Sequence, residues 1–321
     1  MSALQVIVRS RRVEAEGICS FELVHPEGQA LPAFSAGAHV DVHVAPGLVR
    51  QYSLCNDPAT RDHYRIAVLR EPQSRGGSQG MHEQVQVGQR LTISAPRNHF
   101  ELATGAARSL LLAGGIGITP IWAMAQALHA GGERFALHYC GRAAARMAFV
   151  PALTEAAFAG QVQVHADDGD CAQRFDADAL LAAPEAGSHL YVCGPAGFMN
   201  HVLDTARRHG WPEAQLHREF FAGTATALET DGAFNVRLAR SGQSFAIPKD
   251  KSVLEVLTAA GVDVPYSCES GICGSCLTRV LEGVPDHRDS FLTDSERAAN
   301  DQFTPCCSRS RTGRLVLDLA C

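Results

Sequence analysis

Pro265-Tyr266-Ser267-Cys268-Glu269-Ser270-Gly271-Ile272-Cys273-Gly274-Ser275-Cys276 is the stretch around which this chain is organised. Four residues separate its first two cysteines and two separate the second from the third, with a distant fourth at Cys306 or its neighbour Cys307. That is the plant-type iron–sulfur spacing, and it predicts a [2Fe–2S] site with Cys268, Cys273 and Cys276 among its ligands. A loop can wrap a small cluster only if its backbone bends back with amides facing the sulfurs. Gly271 and Gly274 permit this, because glycine reaches φ > 0 and brings no Cβ against the bound object. Zinc fits less well, since it usually takes two CxxC-like pairs or a Cys/His mixture and only one pair here is tight. Leu277 stands where c-type haem attachment needs a histidine.

Outward from the loop, residues 234–238 and 243–247 read as a hairpin, and Ser252 opens a helix that runs through Leu257 and ends at Gly261. Residues 314–319 read as a closing strand. A small mixed sheet, one helix and a long ligand loop describe a ferredoxin module over residues 233–321. Residues 223–232 are small and polar, with Gly223, Thr224 and Thr226, and read as a linker.

Upstream, from residue 110 to about 221, strand and helix alternate: strands at 110–113, 135–139, 162–165 and 189–192, with helices between. Successive βα units of this length imply a parallel, doubly wound sheet, here over residues 103–222. Ligands of such sheets bind outside the carboxyl ends of the strands, where two unusual turns fall. In Gly114-Gly115-Ile116-Gly117-Ile118-Thr119-Pro120, the glycines Gly114, Gly115 and Gly117 let a pyrophosphate approach backbone at a helix start, although this is not a strict GxGxxG. In Cys193-Gly194-Pro195-Ala196-Gly197-Phe198-Met199 a second strand–turn–helix element would close over a nicotinamide; Cys193 also reads as a small buried thiol. Residues 110–128 are uncharged and long enough to imitate a membrane span. The glycine turn and helix-start proline interrupt them, so a buried strand, turn and helix is expected instead.

Residues 1–102 are short alternating segments separated by Gly and Pro, as at 39–44 and 64–69, which predicts a small antiparallel barrel. His39 and His43 share one strand face there and read as ordinary strand residues. In Arg50-Gln51-Tyr52-Ser53, period-two geometry puts Arg50 and Tyr52 on one face and Ser53 on the other, so a flat ligand could meet a charge, a ring and backbone amides. In Arg75-Gly76-Gly77-Ser78, glycines precede a serine able to cap a helix, an arrangement suited to an anion. Together they suggest a flavin phosphate site.

A chain of 321 residues allows two or three domains, each with its own core. A formal charge of −6 argues against nucleic acid as a partner. Residues 1–17 contain no apolar signal-peptide core, and eleven cysteines with cluster-type spacing point to a reducing cytoplasm, not a disulfide scaffold.

The Arg50–Ser53 run, the Gly-Gly-Ser at 76–78, the glycine turn at 114–120, Cys193-Gly194-Pro195 and the cluster loop resemble, in order and spacing, the phthalate dioxygenase reductase family. The likeness covers essentially the whole chain, and within the family it points to reductase components of Rieske oxygenases that demethylate or hydroxylate aromatic acids. It implies FMN as the flavin, with Arg50 and Ser78 near its phosphate, Tyr52 against the ribityl–ring edge and Ser53 near the reactive ring nitrogen. Leu69, Arg70 and Glu71 would follow the ring through their backbone, and Thr119 would reach it from the nucleotide domain. Phe221 would stack where NADH enters, with Phe220 as the alternative. Cys306, which follows Pro305, becomes the fourth cluster ligand. The resemblance favours NADH, although Arg142 and Arg146 stand where a 2′-phosphate could be read. The flavin would take a hydride and release single electrons to the cluster, so the protein positions cofactors and no catalytic acid or base is expected. Plant-type clusters sit near about −400 mV as a class, low enough to supply a Rieske centre. A transient oxygenase partner and a monomer follow. Competing readings are a reductase for a cytochrome P450 or other monooxygenase, and a non-catalytic electron carrier, against which the intact glycine turns argue.

Overall fold

The alternating N-terminal third pairs antiparallel. In the computed structural model, which describes residues 3–72, 74, 76–221, 231–266, 268–272 and 274–319, β1 (Ala3–Ala15) and β2 (Ile18–Val24) form a hairpin turned at Gly17, where φ is +73°. β3 (Ala38–Ala45), β4 (Leu48–Ser53), β5 (Tyr64–Leu69), helix α1 (Gly77–Glu83), β6 (Arg90–Ser94) and the short β7 (Arg97–Asn98) follow. The sheet order is β4-β3-β6-β1-β2-β5 with β7 on β3, and a bridge from Leu54 to Ile66 joins the two ends. This is the expected antiparallel barrel. Its inward residues, among them Val6, Phe21, Val40, Val42, Ile66 and Ile93, make the core, which Met81 of α1 also enters. His43 is exposed, but His39 is only 5% exposed: its Nε2 lies 3.2 Å from Nε2 of Gln51, which also donates to Asp41, and Asp41 in turn pairs with Arg97.

Next come β8 (Arg108–Gly114), α2 (Ile118–Ala130), β9 (Phe135–Gly141), α3 (Val150–Glu155), β10 (Val162–Ala166), α4 (Ala177–Leu181), β11 (Ser188–Cys193), α5 (Ala196–Arg208) and β12 (Leu216–Glu219). All five strands are parallel in the order β10-β9-β8-β11-β12. Leu110 to Ala113 are buried because helices or barrel cover both faces of the central strand. The chain enters at β8, winds out to β10 and returns to β11, so the reversal that opens a ligand crevice lies between β8 and β11. Barrel residues Ile18, Cys55, Ala67 and Phe100 share one core with Leu111, Ile121 and Trp122, and the chain up to Glu219 forms one compact unit. Among the described residues no helix is long and apolar enough to cross a membrane.

A second compact unit begins at Phe220. It contains β13 (Phe234–Leu238), β14 (Ser244–Ile247), α6 (Val253–Ala259), β15 (Thr278–Glu282), β16 (Pro285–Asp286), α7 (Asp294–Ala299), β17 (Gln302–Phe303), β18 (Arg309–Ser310) and β19 (Arg314–Leu317). Its sheet runs β14-β13-β19-β15-β17, parallel only between β13 and β19, and β16 pairs separately with β18. This is the mixed β-grasp sheet expected of a ferredoxin module. Most of the expected linker, 223–230, lies outside the described residues. Its last two positions are held by arginines: Arg288 grips the Asp231 carboxylate, at 2.9 Å through one guanidinium nitrogen, and Arg309 donates to the Gly232 carbonyl.

Candidate functional site

The barrel end that carries Arg50 and Gly77 is built by one close contact. A Cβ on Gly77 would fall 2.5 Å from Cγ and 2.9 Å from Nε of Arg50, so the arginine stem lies directly across the first turn of α1. Ser78 does not cap that helix as expected. The chain bends in through Gly76 at φ +89°, which becomes the N-cap without a side-chain hydrogen bond, and Ser78 falls one residue inside the helix. Its hydroxyl is used elsewhere: it accepts from the Glu71 amide at 3.1 Å and donates to Ser74 Oγ at 3.1 Å. Leu69, Arg70, Glu71, Gly77, Ser78 and Arg50 are thereby gathered at one barrel end; Arg75 lies outside the described residues. Tyr52 is half-buried, and burial pushes its phenol up against the opposing Arg50 charge.

At the crevice between β8 and β11 the two turns interlock through their glycines. A Cβ on Gly117 would meet the Cys193 carbonyl oxygen at 2.2 Å, and one on Gly114 would meet Phe198 at 2.8 Å and Pro195 at 3.0 Å. Gly194 approaches Gly114 Cα as closely, at 2.9 Å from its own missing Cβ. Gly115, at φ +53°, faces open space, which leaves room for a nucleotide over the turn. Thr119 is buried, its hydroxyl donating to the Ile116 carbonyl at 3.1 Å. Phe221 is 40% exposed and stands two residues past β12.

Glu219 joins this crevice from outside the sequence motifs. It ends β12 in register with Cys193, and Ser53 at the end of β4 donates to its carboxylate at 3.2 Å. Burial pushes the Glu219 carboxyl up to about 8, against the lowering effect of the Ser53 hydrogen bond. Burial, helped by the Glu219 charge, likewise pushes the Cys193 thiol well up. An acidic residue at the carboxyl end of a parallel strand was the signal that could have found it.

In the second unit the thiol of Cys306 is raised far above its ordinary value by the thiols of Cys268, Cys276 and Cys307, which lie against it. Amides face these sulfurs: Ser270 and Ile272 each approach Cys268 Sγ at 3.4 Å, and Gly271 donates to Cys306 Sγ at 3.2 Å. Gly271 and Gly274 have φ of +72° and +67°, and a Cβ on Gly274 would strike the Phe291 ring at 2.3 Å. Cys273 lies outside the described residues. Among those described, no three His, Cys, Asp or Glu side chains are gathered at metal-ligand distances. The fit of a [2Fe–2S] cluster therefore rests on the convergent thiols, their spacing and the inward amides, and soft thiolates are the donors such a cluster takes.

Comparison with known proteins agrees in extent and order. The 2Fe-2S iron-sulfur cluster binding domain family matches residues 236–311, and the dimethylamine monooxygenase subunit DmmA-like N-terminal domain family matches residues 91–216. The chain is 55% identical over 316 residues to a vanillate O-demethylase oxidoreductase from a Pseudomonas species, covering 98% of this chain and all of that one. Among solved structures it resembles a phthalate dioxygenase reductase, described as a modular structure for electron transfer from pyridine nucleotides to [2Fe–2S], with TM-score 0.80, 43% identity and 99% and 98% of the two chains covered. It also resembles an intact type IV self-sufficient cytochrome P450 monooxygenase, with TM-score 0.83, 39% identity, 99% of this chain and 41% of that one covered.

Proposed function

The chain belongs to the phthalate dioxygenase reductase family, and from that premise we propose that it carries electrons from NADH through FMN and a [2Fe–2S] cluster to a Rieske-type aromatic oxygenase or O-demethylase. It is an oxidoreductase, the reductase component of an oxygenase system. The observation that carries the reading is that one chain holds a flavin-type cradle, an open switch-point crevice and a loop whose thiols surround Cys306. When bound, FMN takes the two electrons of a hydride together and hands them singly to the cluster, which a nicotinamide cannot do for itself.

The protein's part is binding and orientation. Arg50 and Ser78 are assigned to the FMN phosphate, Tyr52 and Ser53 to the ring, and Leu69, Arg70 and Glu71 to its edge. Gly114, Gly115, Gly117, Thr119, Cys193, Gly194 and Pro195 are assigned to the nucleotide crevice, and Phe221 to the ring face. Cys268, Cys273, Cys276 and Cys306 are assigned to the cluster. Glu219, raised to about 8, keeps its proton near neutral pH beside Ser53, so it adds no negative charge where the flavin ring is assigned. We place the domains at 1–102, 103–222 and 233–321, joined by 223–232. The coenzyme is read as NADH: Asp168 accepts from the Ala144 amide at 3.0 Å, which brings a carboxylate to the loop that carries Arg142 and Arg146 and disfavours a 2′-phosphate there. A monomer acting in the cytoplasm through brief contacts with its oxygenase completes the reading.

An anaerobic titration with NADH, and separately with NADPH, tests it. Bleaching of a flavin band followed by a rhombic [2Fe–2S] spin-resonance signal is expected with NADH. A cluster reducible only by dithionite, with no flavin released on heating, would make the protein a ferredoxin-like carrier. The likeness to the self-sufficient P450 supports a second reading, a reductase for a haem monooxygenase; turnover with a P450 partner and none with a Rieske oxygenase would select it.

A further inference from the structure

Cys307 is next to the ligand assigned at Cys306 and has no part in the reading above, yet it is only 6% exposed and closely held. Its amide and that of Ser308 both donate to the Thr304 carbonyl, at 3.2 and 3.0 Å, which closes the turn. The hydrogen bonds among its neighbours have one consistent direction. Ser308 Oγ donates to Asp289 Oδ1 at 3.4 Å and accepts from the Arg288 amide at 3.1 Å, so toward Thr304 Oγ1, 3.0 Å away, it can only accept. Thr304 therefore spends its proton on Ser308 and accepts from the Cys307 thiol at 3.2 Å. The chain of donors ends at the Asp289 carboxylate, whose other oxygen takes the amides of Phe291 and Leu292 at 3.1 and 2.7 Å. Cys307 Sγ thus sits among Thr304 Oγ1 at 3.2 Å, Ser308 Oγ at 3.8 Å and the Thr304 carbonyl at 3.9 Å, which fix its place beside the ligand set.

The sulfur's opposite side rests on the cluster loop. A Cβ built on Gly271 would lie 2.4 Å from Cys307 Sγ, and 3.0 and 3.2 Å from Cα and Cβ of Asp289, so Gly271 is wedged between the two. Its carbonyl is held by the Ser290 amide at 2.9 Å, and from this seat its amide donates to Cys306 Sγ at 3.2 Å. We propose that Cys307 is a positioning residue: its sulfur wedges Gly271 so that the Gly271 amide stays aimed at Cys306, and so holds up the reduction potential of the cluster. The proposal rests on the assignment of Cys306 as a ligand. An amide donated to a ligand sulfur stabilises the extra negative charge of the reduced state, so losing its alignment lowers the potential. A thiol that merely filled space would affect stability and leave the potential alone.

The test is a set of variants of the full-length protein, read by iron and sulfide content, spin resonance and anaerobic spectroelectrochemical titration. Cys307→Ala should keep full iron and the wild-type rhombic signal while its midpoint shifts negative, an expected roughly tenfold fall in the equilibrium constant for reduction, or about 59 mV for one electron. Cys307→Ser, which keeps the hydrogen bond to Thr304 with a smaller atom, should fall between. If Cys307→Ala does not assemble a cluster, the midpoint of Cys307→Ser alone decides. An unchanged midpoint in an assembled variant overturns the proposal, and so does loss of iron in both Cys307 variants while Cys306→Ala retains it, since Cys307 would then be the ligand. A wild-type protein with neither iron nor signal would instead overturn the cluster reading itself.

Discussion

Two glutamates in the first unit, the buried Glu22 and the half-buried Glu219, respond to their surroundings in opposite directions. Burial alone would raise Glu22, but hydrogen bonds from Arg65, Ser10 and Arg9, at 2.6, 2.9 and 3.3 Å, together with the Arg65 charge, bring its carboxyl down to about 2. Its stabilising effect is present above the ordinary value of 4.5 and is lost as pH falls toward about 2. Glu219 has no cation to offset its burial and rises to about 8, so its effect runs the other way: stability is fullest below 4.5 and declines as pH rises toward about 8. Melting temperature measured against pH should lose its slope below 4.5 in Glu22→Gln and its decline between 4.5 and about 8 in Glu219→Gln. Ser53→Ala removes the hydrogen bond between the ends of β4 and β12 and should slow flavin reduction by NADH by roughly 10²-fold through misplacement. Its dithionite-reduced cluster signal should match the wild type in stopped-flow and spin-resonance comparison.

Among elements, the two glycine turns and the two capped helices of the second unit show different kinds of dependence. Gly117→Ala would drive a methyl into the backbone of Gly194 and of the strand-anchored Cys193, which cannot move aside as a side chain could. The expected cost is about 1–3 kcal/mol of stability with a raised KM for NADH, checked by thermal unfolding and steady-state kinetics. Helix α6 carries both bonds of a capping box, from the Glu255 amide to Ser252 Oγ at 3.1 Å and from the Ser252 amide to Glu255 at 2.7 Å. Ser252→Ala should cost about 1 kcal/mol by denaturant unfolding. Helix α7 has the same signature, Thr293 to Glu296, and was nevertheless missed in the sequence. Six polar and small residues carry no apolar period, and only the cap at one end and the left-handed Asn300 at the other mark it.

For the whole molecule, the division at Glu219 and Phe220 matters most. Each unit has its own apolar core, one of them around Phe234, Val236, Leu257, Leu315 and Leu317. Cores that do not depend on each other predict separable activities. Cys306→Ser should lose the cluster, seen as lost iron and spin-resonance signal, while the flavin stays bound and NADH still reduces ferricyanide at the wild-type rate. Joint loss of both activities would mean that the cluster unit holds up the flavin unit.

The cluster loop, the barrel, the parallel sheet and the ferredoxin hairpin were legible from residues alone, because spacing of cysteines, period-two alternation and glycine turns are local and each repeats the constraint of its own element. Cys306 is preferred over Cys307 as a ligand by resemblance; the fold gives the two sulfurs different surroundings, one under the Gly271 amide and the other in a hydroxyl-lined seat. Ser78 looked like a cap and is an anchor for Glu71, since the left-handed Gly76 moved the helix start. Glu219 had no legible role, because its partner Ser53 is distant in sequence and meets it only where barrel and sheet share a core. Local chemistry is written residue by residue, whereas protonation, wedging and the pairing of distant groups depend on burial, which exists only once the chain has folded.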